Sequence, residues 1–220
     1  AAPDGSTIVL QEHDGQFYLR INGTPLMSTT AFASEVEMAS IACEKLKATN
    51  IKESRVLIGG LGFGFTLRRV LDLARFDAAI DVAELLPEII DWNRLYLRDV
   101  NGRLLEDPRV TIQREDVFEL IRPGGLRRES QSYHAILLDV DNSPDPLVQS
   151  GNARLYSRSG LESIKNALHP GGRVVFWSAN QDHAFEDDLR KVFSRTESVA
   201  AKAYATAKRY THTLFVADRS

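Results

Sequence analysis

The stretch RVLIGGLGFGFTLRRVLD, residues 55–72, runs from an apolar segment through four glycines into a helix-like segment. RVLIGG predicts a short buried strand, and FTLRRVLDLA predicts the helix that follows it. Gly59, Gly60, Gly62 and Gly64 let the backbone turn tightly and approach a ligand, while a helix N-terminus favours a negative group. The stretch predicts a ligand-binding strand, loop and helix, although a loop that only closes such a turn for packing reasons has the same composition.

Strand and helix signals alternate after this loop, which predicts a parallel sheet with crossover helices. HAILLDVD is apolar at successive positions, as expected for a central strand covered on both faces. The tail SVAAKAYATAKRYTHTLFVADRS predicts two strands that form an antiparallel edge. Before the loop, Asp14-Gly15 and Asn22-Gly23 are tight-turn dipeptides between alternating apolar segments. The sequence therefore predicts an α/β, doubly wound, mostly parallel Rossmann-like domain at residues 31–220, preceded by a small β-hairpin region at residues 1–30.

Composition limits the classes of function. The chain has 220 residues, 43% of them hydrophobic, which is enough for one substantial core, and its net charge is −3. No overall basic field attracts nucleic acid or anionic lipid, so neither a nucleic-acid nor a membrane partner is expected. One cysteine excludes an intrachain disulfide and suits a reducing compartment, and no apolar segment approaches membrane-spanning length. We expect a soluble, cytoplasmic protein.

Three acids end successive predicted strands. Glu84 follows the second strand about twenty residues after the loop, where a carboxylate can accept hydrogen bonds from the ribose hydroxyls of a nucleoside. Asp116 ends the third strand, where a carboxylate can accept from an adenine amino group, and Asp139 ends the fourth. Because the carboxyl ends of parallel strands share one crevice, the acids predict a nucleoside pocket with Asp139 near the reacting centre. Glu84 also fits an ordinary solvated acid at a strand end, and Asp139 also fits a cap of the next helix or turn.

Two other kinds of site fit parts of the sequence. A dinucleotide site fits the spacing to Glu84, but Leu67 stands where the final glycine of G-x-G-x-x-G belongs. The cluster of Asp139, Asp141, Asn142 and Asp145 has oxygen ligands suited to Mg²⁺, but the sequence indicates no further acid as a ligand for it. The five histidines do not have the spacing of metal ligands. No metal is therefore predicted.

These motifs together resemble those of the spermidine synthase (polyamine aminopropyltransferase)-like group, whose fold is of the class I S-adenosylmethionine-dependent methyltransferase type. The similarity covers about residues 55–178. VLIGGLGFGFTLRRVL resembles the group's nucleoside loop, VAELLPEII its ribose segment and EDPRVTIQRED its adenine segment, while YHAILLDVDNSPDP resembles its catalytic segment. The resemblance implies that Glu84 binds ribose, that Asp116 holds adenine and that Asp139 helps to deprotonate an attacking amine. It also implies a homodimer, because the hairpin domain of that group often supports dimers.

The chain also departs from the group's pattern. The group carries an acid in the glycine loop that contacts the amine of decarboxylated S-adenosylmethionine, and here the matching position is Gly62. A second acid of the catalytic segment is replaced by Asn142, with Asp141 beside it, and only Glu35 matches the group's N-terminal amine-binding pattern. Asp141, Asn142 and Tyr156 are the expected contacts for the acceptor, with Trp177 as a further candidate wall, although the pattern favours a place in the core for both aromatic side chains.

The missing loop acid bears on the donor. A carboxylate in the loop would repel the carboxylate of intact S-adenosylmethionine and attract the bare amine of its decarboxylated form. With Gly62 in its place, we expect intact S-adenosylmethionine and methyl transfer to a small-molecule acceptor, slightly in preference to aminopropyl transfer from decarboxylated S-adenosylmethionine to a polyamine. A nucleoside-binding protein without transfer activity is a third alternative, because fold does not fix function.

Overall fold

The N-terminal region is a three-stranded antiparallel sheet. In the computed structural model, which describes residues 5–49, 51–124, 132–140 and 153–220, it consists of β1 (Ile8–His13), β2 (Gln16–Ile21) and β3 (Thr24–Ser28). Both connecting turns have positive φ at their two central residues, Asp14-Gly15 and Asn22-Gly23, as two-residue hairpin turns require. The region thus contains a third strand in addition to the expected hairpin.

The remaining elements alternate as the sequence predicts. They are α1 (Ala33–Thr49), β4 (Arg55–Gly59), α2 (Phe65–Leu73), β5 (Ala79–Ala83), α3 (Pro87–Leu95), α4 (Arg98–Asn101), a 3-10 turn (Leu104–Glu106), β6 (Val110–Gln113), α5 (Val117–Ile121), β7 (Tyr133–Leu138), α6 (Ala153–Tyr156), α7 (Arg158–Ala167), β8 (Leu168–Ser178), α8 (His183–Val192), β9 (Arg195–Ala201) and β10 (His212–Asp218).

One seven-stranded sheet has the order β6-β5-β4-β7-β8-β10-β9. The pairs from β6 to β8 are parallel, and β10 lies antiparallel between β8 and β9. The α/β, doubly wound prediction with an antiparallel C-terminal edge is confirmed. Strand order reverses between β4 and β7, and in open α/β sheets ligands bind beyond the carboxyl ends of the strands at such a reversal.

The sheet is covered on both faces. Val56 and Ile58 belong to one buried cluster, which also includes side chains of α1, whereas Leu57 and Ile136 belong to the cluster on the other face with α7 and α8. Burial on both sides explains why the central strands are apolar at successive positions. None of the described helices is long and apolar enough to cross a membrane.

Candidate functional site

The glycine loop after β4 lies against the end of β7. Gly60 has φ of 89°, and a β-carbon there would lie 2.3 Å from the carbonyl oxygen of Asp139. The Asp139 N–H donates to the carbonyl oxygen of Gly59 at 2.9 Å, so the two strand ends are joined directly. Only glycine fits at position 60, because both its φ and its neighbour exclude a side chain.

Two asparagines hold the far side of the loop. Asn93 of α3 donates from Nδ2 to the carbonyl oxygen of Gly62 at 2.8 Å, and Asn101 of α4 donates to the carbonyl oxygen of Phe63. Both side chains are buried. Sequence reasoning missed them, because an isolated asparagine in a helical segment follows no motif.

Glu84 is buried and holds the near side of the loop. Its Oε2 accepts from the Leu61 N–H at 2.9 Å, and its Oε1 accepts from the Leu86 N–H at 2.8 Å. Burial raises the pKa of the Glu84 carboxyl above its usual value, and these backbone N–H groups oppose that rise. Glu84 therefore positions the loop as well as lining the pocket beside it.

Asp116 lies three residues beyond β6, as the N-cap of α5. Its Oδ1 accepts from the Phe118 N–H at 2.8 Å, and its Oδ2 forms an ion pair with Arg154. The Arg154 guanidinium lies 4.7 Å from the centre of the Phe118 ring. Asp116 thus caps a helix, a role that the sequence did not predict for it, and it also lines the pocket.

Two cavities open at this edge of the sheet. The first, here called the loop cavity, is lined by the glycine loop, the acids that follow β5 and β6, and apolar side chains of the hairpin sheet. Its lining residues are Ile8, Leu19, Ile21, Leu26, Met27, Gly60, Gly62, Ala83, Glu84, Leu85, Leu86, Ile89, Glu115, Asp116, Val117, Asp139 and Val140. The structure therefore brings Gly60, Gly62, Glu84, Asp116 and Asp139 to one pocket.

The second cavity, here called the hairpin cavity, lies on the other side of Asp139. It is lined by two acids, one arginine, and aromatic, hydroxyl and apolar residues, namely Tyr18, Arg20, Pro25, Leu26, Met27, Ser28, Thr30, Ala31, Ser34, Glu35, Asp139, Val140, Trp177, Ala203, Tyr204 and His212. Leu26, Met27, Asp139 and Val140 line both cavities. These four residues form a shared wall between the two spaces.

Two acids face the hairpin cavity. Burial raises the pKa of the Asp139 carboxyl to about 8, and the negative charge of Glu35 adds to that rise. Burial likewise raises the pKa of Glu35, whose Oε2 accepts from the Ser34 hydroxyl at 2.8 Å. Because burial lowers the pKa of His212, this imidazole supplies no full positive charge near pH 7 to offset the acids. A carboxylate with a pKa near neutrality is suited to proton transfer.

Trp177 and His212 form one side of the hairpin cavity. Their ring centroids are 4.7 Å apart, and the Trp177 Nε1 and His212 Nδ1 atoms are buried without a hydrogen-bond partner among the described residues. The sequence indicated Trp177 as a wall, whereas His212 of β10 belongs to no motif and was not predicted to lie at the site.

Other expected contacts are not brought to these cavities. Tyr156 packs against Phe176 and Phe185, with ring centroids 6.0 Å and 5.3 Å apart, and it is not among the residues that line either cavity. Gly59 and Gly64 are likewise outside the two linings, although both belong to the loop. Asp141, Asn142 and Asp145 lie outside the described residues.

A metal site is not found in the described part of the chain. Within residues 5–49, 51–124, 132–140 and 153–220, no group of three His, Cys, Asp or Glu side chains is arranged to hold a metal ion. The Mg²⁺ cluster suggested by the sequence has three of its four members outside those ranges, so the absence of a metal stays a prediction.

No protein-family model matches the chain, but individual relatives do. It is 38% identical over 126 residues to a polyamine aminopropyltransferase of Corynebacterium efficiens, covering 57% of this chain and 22% of that protein. It is 30% identical over 149 residues to polyamine aminopropyltransferase 1 of Hyperthermus butylicus, covering 68% of this chain and 49% of that protein. The chain thus spans less than half the length of these curated relatives.

Solved structures share the fold. The spermidine synthase of Thermotoga maritima superposes with a TM-score of 0.73 at 19% identity, covering 100% of this chain and 72% of that one. Human methyltransferase-like protein 13 gives a TM-score of 0.61 at 19% identity, covering 86% and 80%. In sequence over 57 to 68% of its length, and in fold, this chain resembles the spermidine synthase (polyamine aminopropyltransferase)-like group.

Proposed function

We propose that this chain is a transferase that moves an aminopropyl group from decarboxylated S-adenosylmethionine to an amine. The observation that carries the proposal is the shared wall. Leu26, Met27, Asp139 and Val140 separate a loop cavity suited to a nucleoside from a hairpin cavity suited to a cationic acceptor. A two-substrate transfer needs such an arrangement, because both reactants must meet at one point.

The loop cavity fits the nucleoside part of the donor. Glu84 accepts the Leu61 and Leu86 N–H groups and lines the cavity, and a carboxylate oxygen can accept more than one hydrogen bond, so Glu84 would also accept from the ribose hydroxyls. Asp116 and the neighbouring Glu115 line the same cavity and would face the adenine amino group. Gly60 has no side chain and lies close to the end of β7, so only backbone atoms of the loop lie at that point of the cavity. When bound, the donor supplies a sulfonium-activated carbon.

The hairpin cavity fits an amine. Glu35 and Asp139 repel each other when both are ionised, and a cationic acceptor relieves that repulsion. An attacking nitrogen must lose one proton as its new bond to carbon forms and the carbon–sulfur bond breaks. Asp139, with a pKa of about 8, is the proposed acceptor of that proton. Glu35 is the proposed partner that raises this pKa and holds the positive charge nearby.

The choice of donor follows the relatives. The curated proteins that match this chain are named aminopropyltransferases, which supports aminopropyl transfer over the methyl transfer expected from Gly62. Methyl transfer from intact S-adenosylmethionine is the second candidate, and the one observation that favours it is the absence of a side-chain carboxylate at position 62. Homodimer formation, a cytoplasmic location and the domain boundary near residue 30 stay predictions.

The released product distinguishes the two reactions. The purified chain would be incubated with each donor and a panel of amines that includes putrescine, and the nucleoside product would be identified by mass spectrometry. Methylthioadenosine formed from the decarboxylated donor is the expected result, and S-adenosylhomocysteine formed from the intact donor would establish the second candidate. Binding of both donors without either product would instead indicate a non-catalytic nucleoside-binding protein.

A further inference from the structure

Arg20 is the only arginine or lysine among the described residues that line the hairpin cavity. It lies on β2 and is partly buried. In the antiparallel hairpin sheet it is paired with Val9 of β1 and with Pro25 of β3, and neither of these residues carries a charge. The sheet therefore places no carboxylate directly opposite this guanidinium.

The Arg20 guanidinium uses few of its donors within the described part of the chain. Nη1 donates to the carbonyl oxygen of Gly23 at 3.1 Å, whereas Nε is buried without a hydrogen-bond partner there. Nη2 donates to no described residue, and no described carboxylate forms an ion pair with this side chain. Arginine presents five donors in a planar fork that matches the two oxygens of a carboxylate. Arg20 thus keeps donors for a carboxylate that the described residues do not supply.

The same cavity also contains two acids. Glu35 of α1 and Asp139 at the end of β7 line it together with Arg20, and neither is ion-paired with that arginine. The cavity volume is about 580 Å³, which is in the range of small-molecule sites and leaves room for more than a reacting nitrogen. A cavity with a cation and two acids that are not paired with one another is complementary to a ligand that carries both charges.

We propose that the acceptor of the transfer is an amine that also carries a carboxylate, which Arg20 binds while the nitrogen lies beside Glu35 and Asp139. This inference rests on the proposed function, because it names the acceptor class of the same site. The nitrogen attacks the sulfonium-bound carbon, the carbon–sulfur bond breaks, methylthioadenosine leaves, and the nitrogen loses one proton to Asp139. The product is an N-aminopropyl amino acid. Arg20 determines specificity and takes no part in the bond changes.

The first test compares acceptors that differ only at the end remote from the reacting amine. The four-carbon set is 4-aminobutyrate, butylamine and putrescine, and matched sets built on β-alanine and 6-aminohexanoate change the chain length. The value of kcat/KM is measured from the methylthioadenosine released from decarboxylated S-adenosylmethionine. In the set whose length fits the cavity, we expect kcat/KM for the amino acid to exceed those for the alkylamine and the diamine at least about tenfold. No preference for the amino acid at any chain length would overturn the proposal.

The second test changes the charge at position 20. We expect Arg20→Gln to lower kcat/KM for the preferred amino acid at least about tenfold and that for the matching alkylamine by less than about threefold. Arg20→Lys keeps the charge and should recover part of the loss. Arg68→Gln is the matched control, because Arg68 also donates from Nη1 to a backbone carbonyl oxygen, that of Val100, and lines neither cavity. An equal loss for amino acid and alkylamine in Arg20→Gln, or no loss for either, would overturn the role of Arg20.

Methylthioadenosine separates the two levels of failure. Arg20 does not line the loop cavity, so each of its variants that folds should bind this nucleoside as the wild-type chain does. Normal binding of methylthioadenosine, with putrescine preferred as acceptor in the wild-type chain and in Arg20→Gln, would overturn this inference alone. No release of methylthioadenosine with any amine of the panel would overturn the proposed function and this inference with it.

Discussion

The loop cavity and the hairpin cavity differ in how their polar groups are satisfied. In the loop cavity Glu84 and Asp116 accept hydrogen bonds from backbone N–H groups of their own surroundings. In the hairpin cavity burial raises the pKa of two neighbouring acids, and the Trp177 Nε1 has no partner among the described residues. The first holds its acids with backbone N–H groups, whereas the second places two acids near each other, with Arg20 also in its lining. Under the proposed function, nucleoside binding would depend on backbone geometry and the chemistry would depend on charge.

The strongest way to separate the two cavities is Asp139→Asn. The amide of this variant cannot accept the proton of the attacking amine. With a donor and an amine that the wild-type chain turns over, we therefore expect the turnover rate to fall by about 10²- to 10⁴-fold. Binding of methylthioadenosine should stay within about threefold, because the loop cavity keeps its other contacts. Steady-state kinetics and calorimetry measure the two effects, and Asp91→Asn at an exposed site on α3 is the control. A turnover rate near that of the wild-type chain would contradict the role of Asp139 as proton acceptor.

Gly60→Ala tests the backbone basis of the loop cavity. A methyl group there would meet the Asp139 carbonyl oxygen at 2.3 Å, in addition to the strain of φ at 89°. We expect a loss of about 3 kcal/mol in the free energy of unfolding, measured by urea denaturation. The control is Gly171→Ala, where φ is 81° and nothing lies within 4 Å, and it should lose about 1 kcal/mol. Equal losses of unfolding free energy in the two variants would contradict the close contact between Gly60 and the Asp139 carbonyl oxygen.

Glu84→Gln tests whether that acid positions the loop. The amide has one accepting oxygen, so either the Leu61 or the Leu86 N–H loses its partner. We expect methylthioadenosine binding to weaken about tenfold, which corresponds to the loss of one or two hydrogen bonds to a charged group. Glu12→Gln, which changes an exposed carboxylate that accepts from Gly15, should leave binding unchanged. Unchanged binding in Glu84→Gln would contradict the proposed ribose contact.

Glu35→Gln probes the charge repulsion in the hairpin cavity and has the smallest expected effect. Removing the like charge lowers the pKa of Asp139, although burial still holds it above the usual value for a carboxyl. The proton-accepting form is the carboxylate, so the acidic limb of the kcat/KM profile should move to lower pH. Glu44→Gln, which lies on the same helix and pairs with Arg173, should leave the limb in place. An acidic limb that stays in place or moves to higher pH in Glu35→Gln would contradict the coupling.

The sequence predicted the loop cavity far better than the hairpin cavity. Gly60, Glu84 and Asp116 each follow a strand within a few residues, so strand order alone places them together. The hairpin cavity joins Glu35, Trp177 and His212, which are far apart in sequence and are brought together only by the position of the hairpin sheet and by β10. Met27 could not be inferred at all, because its role depends on how closely the hairpin sheet approaches the glycine loop.

The two methionines of the chain allow the most direct test of the shared wall. Met27 lies between the cavities, whereas Met38 is fully buried in the core and lines neither. In protein labelled with ¹³C at the methionine methyl groups, two resonances are expected, assigned by Met27→Leu. Methylthioadenosine should shift the Met27 resonance, and an added amine such as putrescine should shift it again, while that of Met38 stays in place. A Met27 resonance that responds to neither molecule, or to only one of them, would contradict a transfer point at the shared wall.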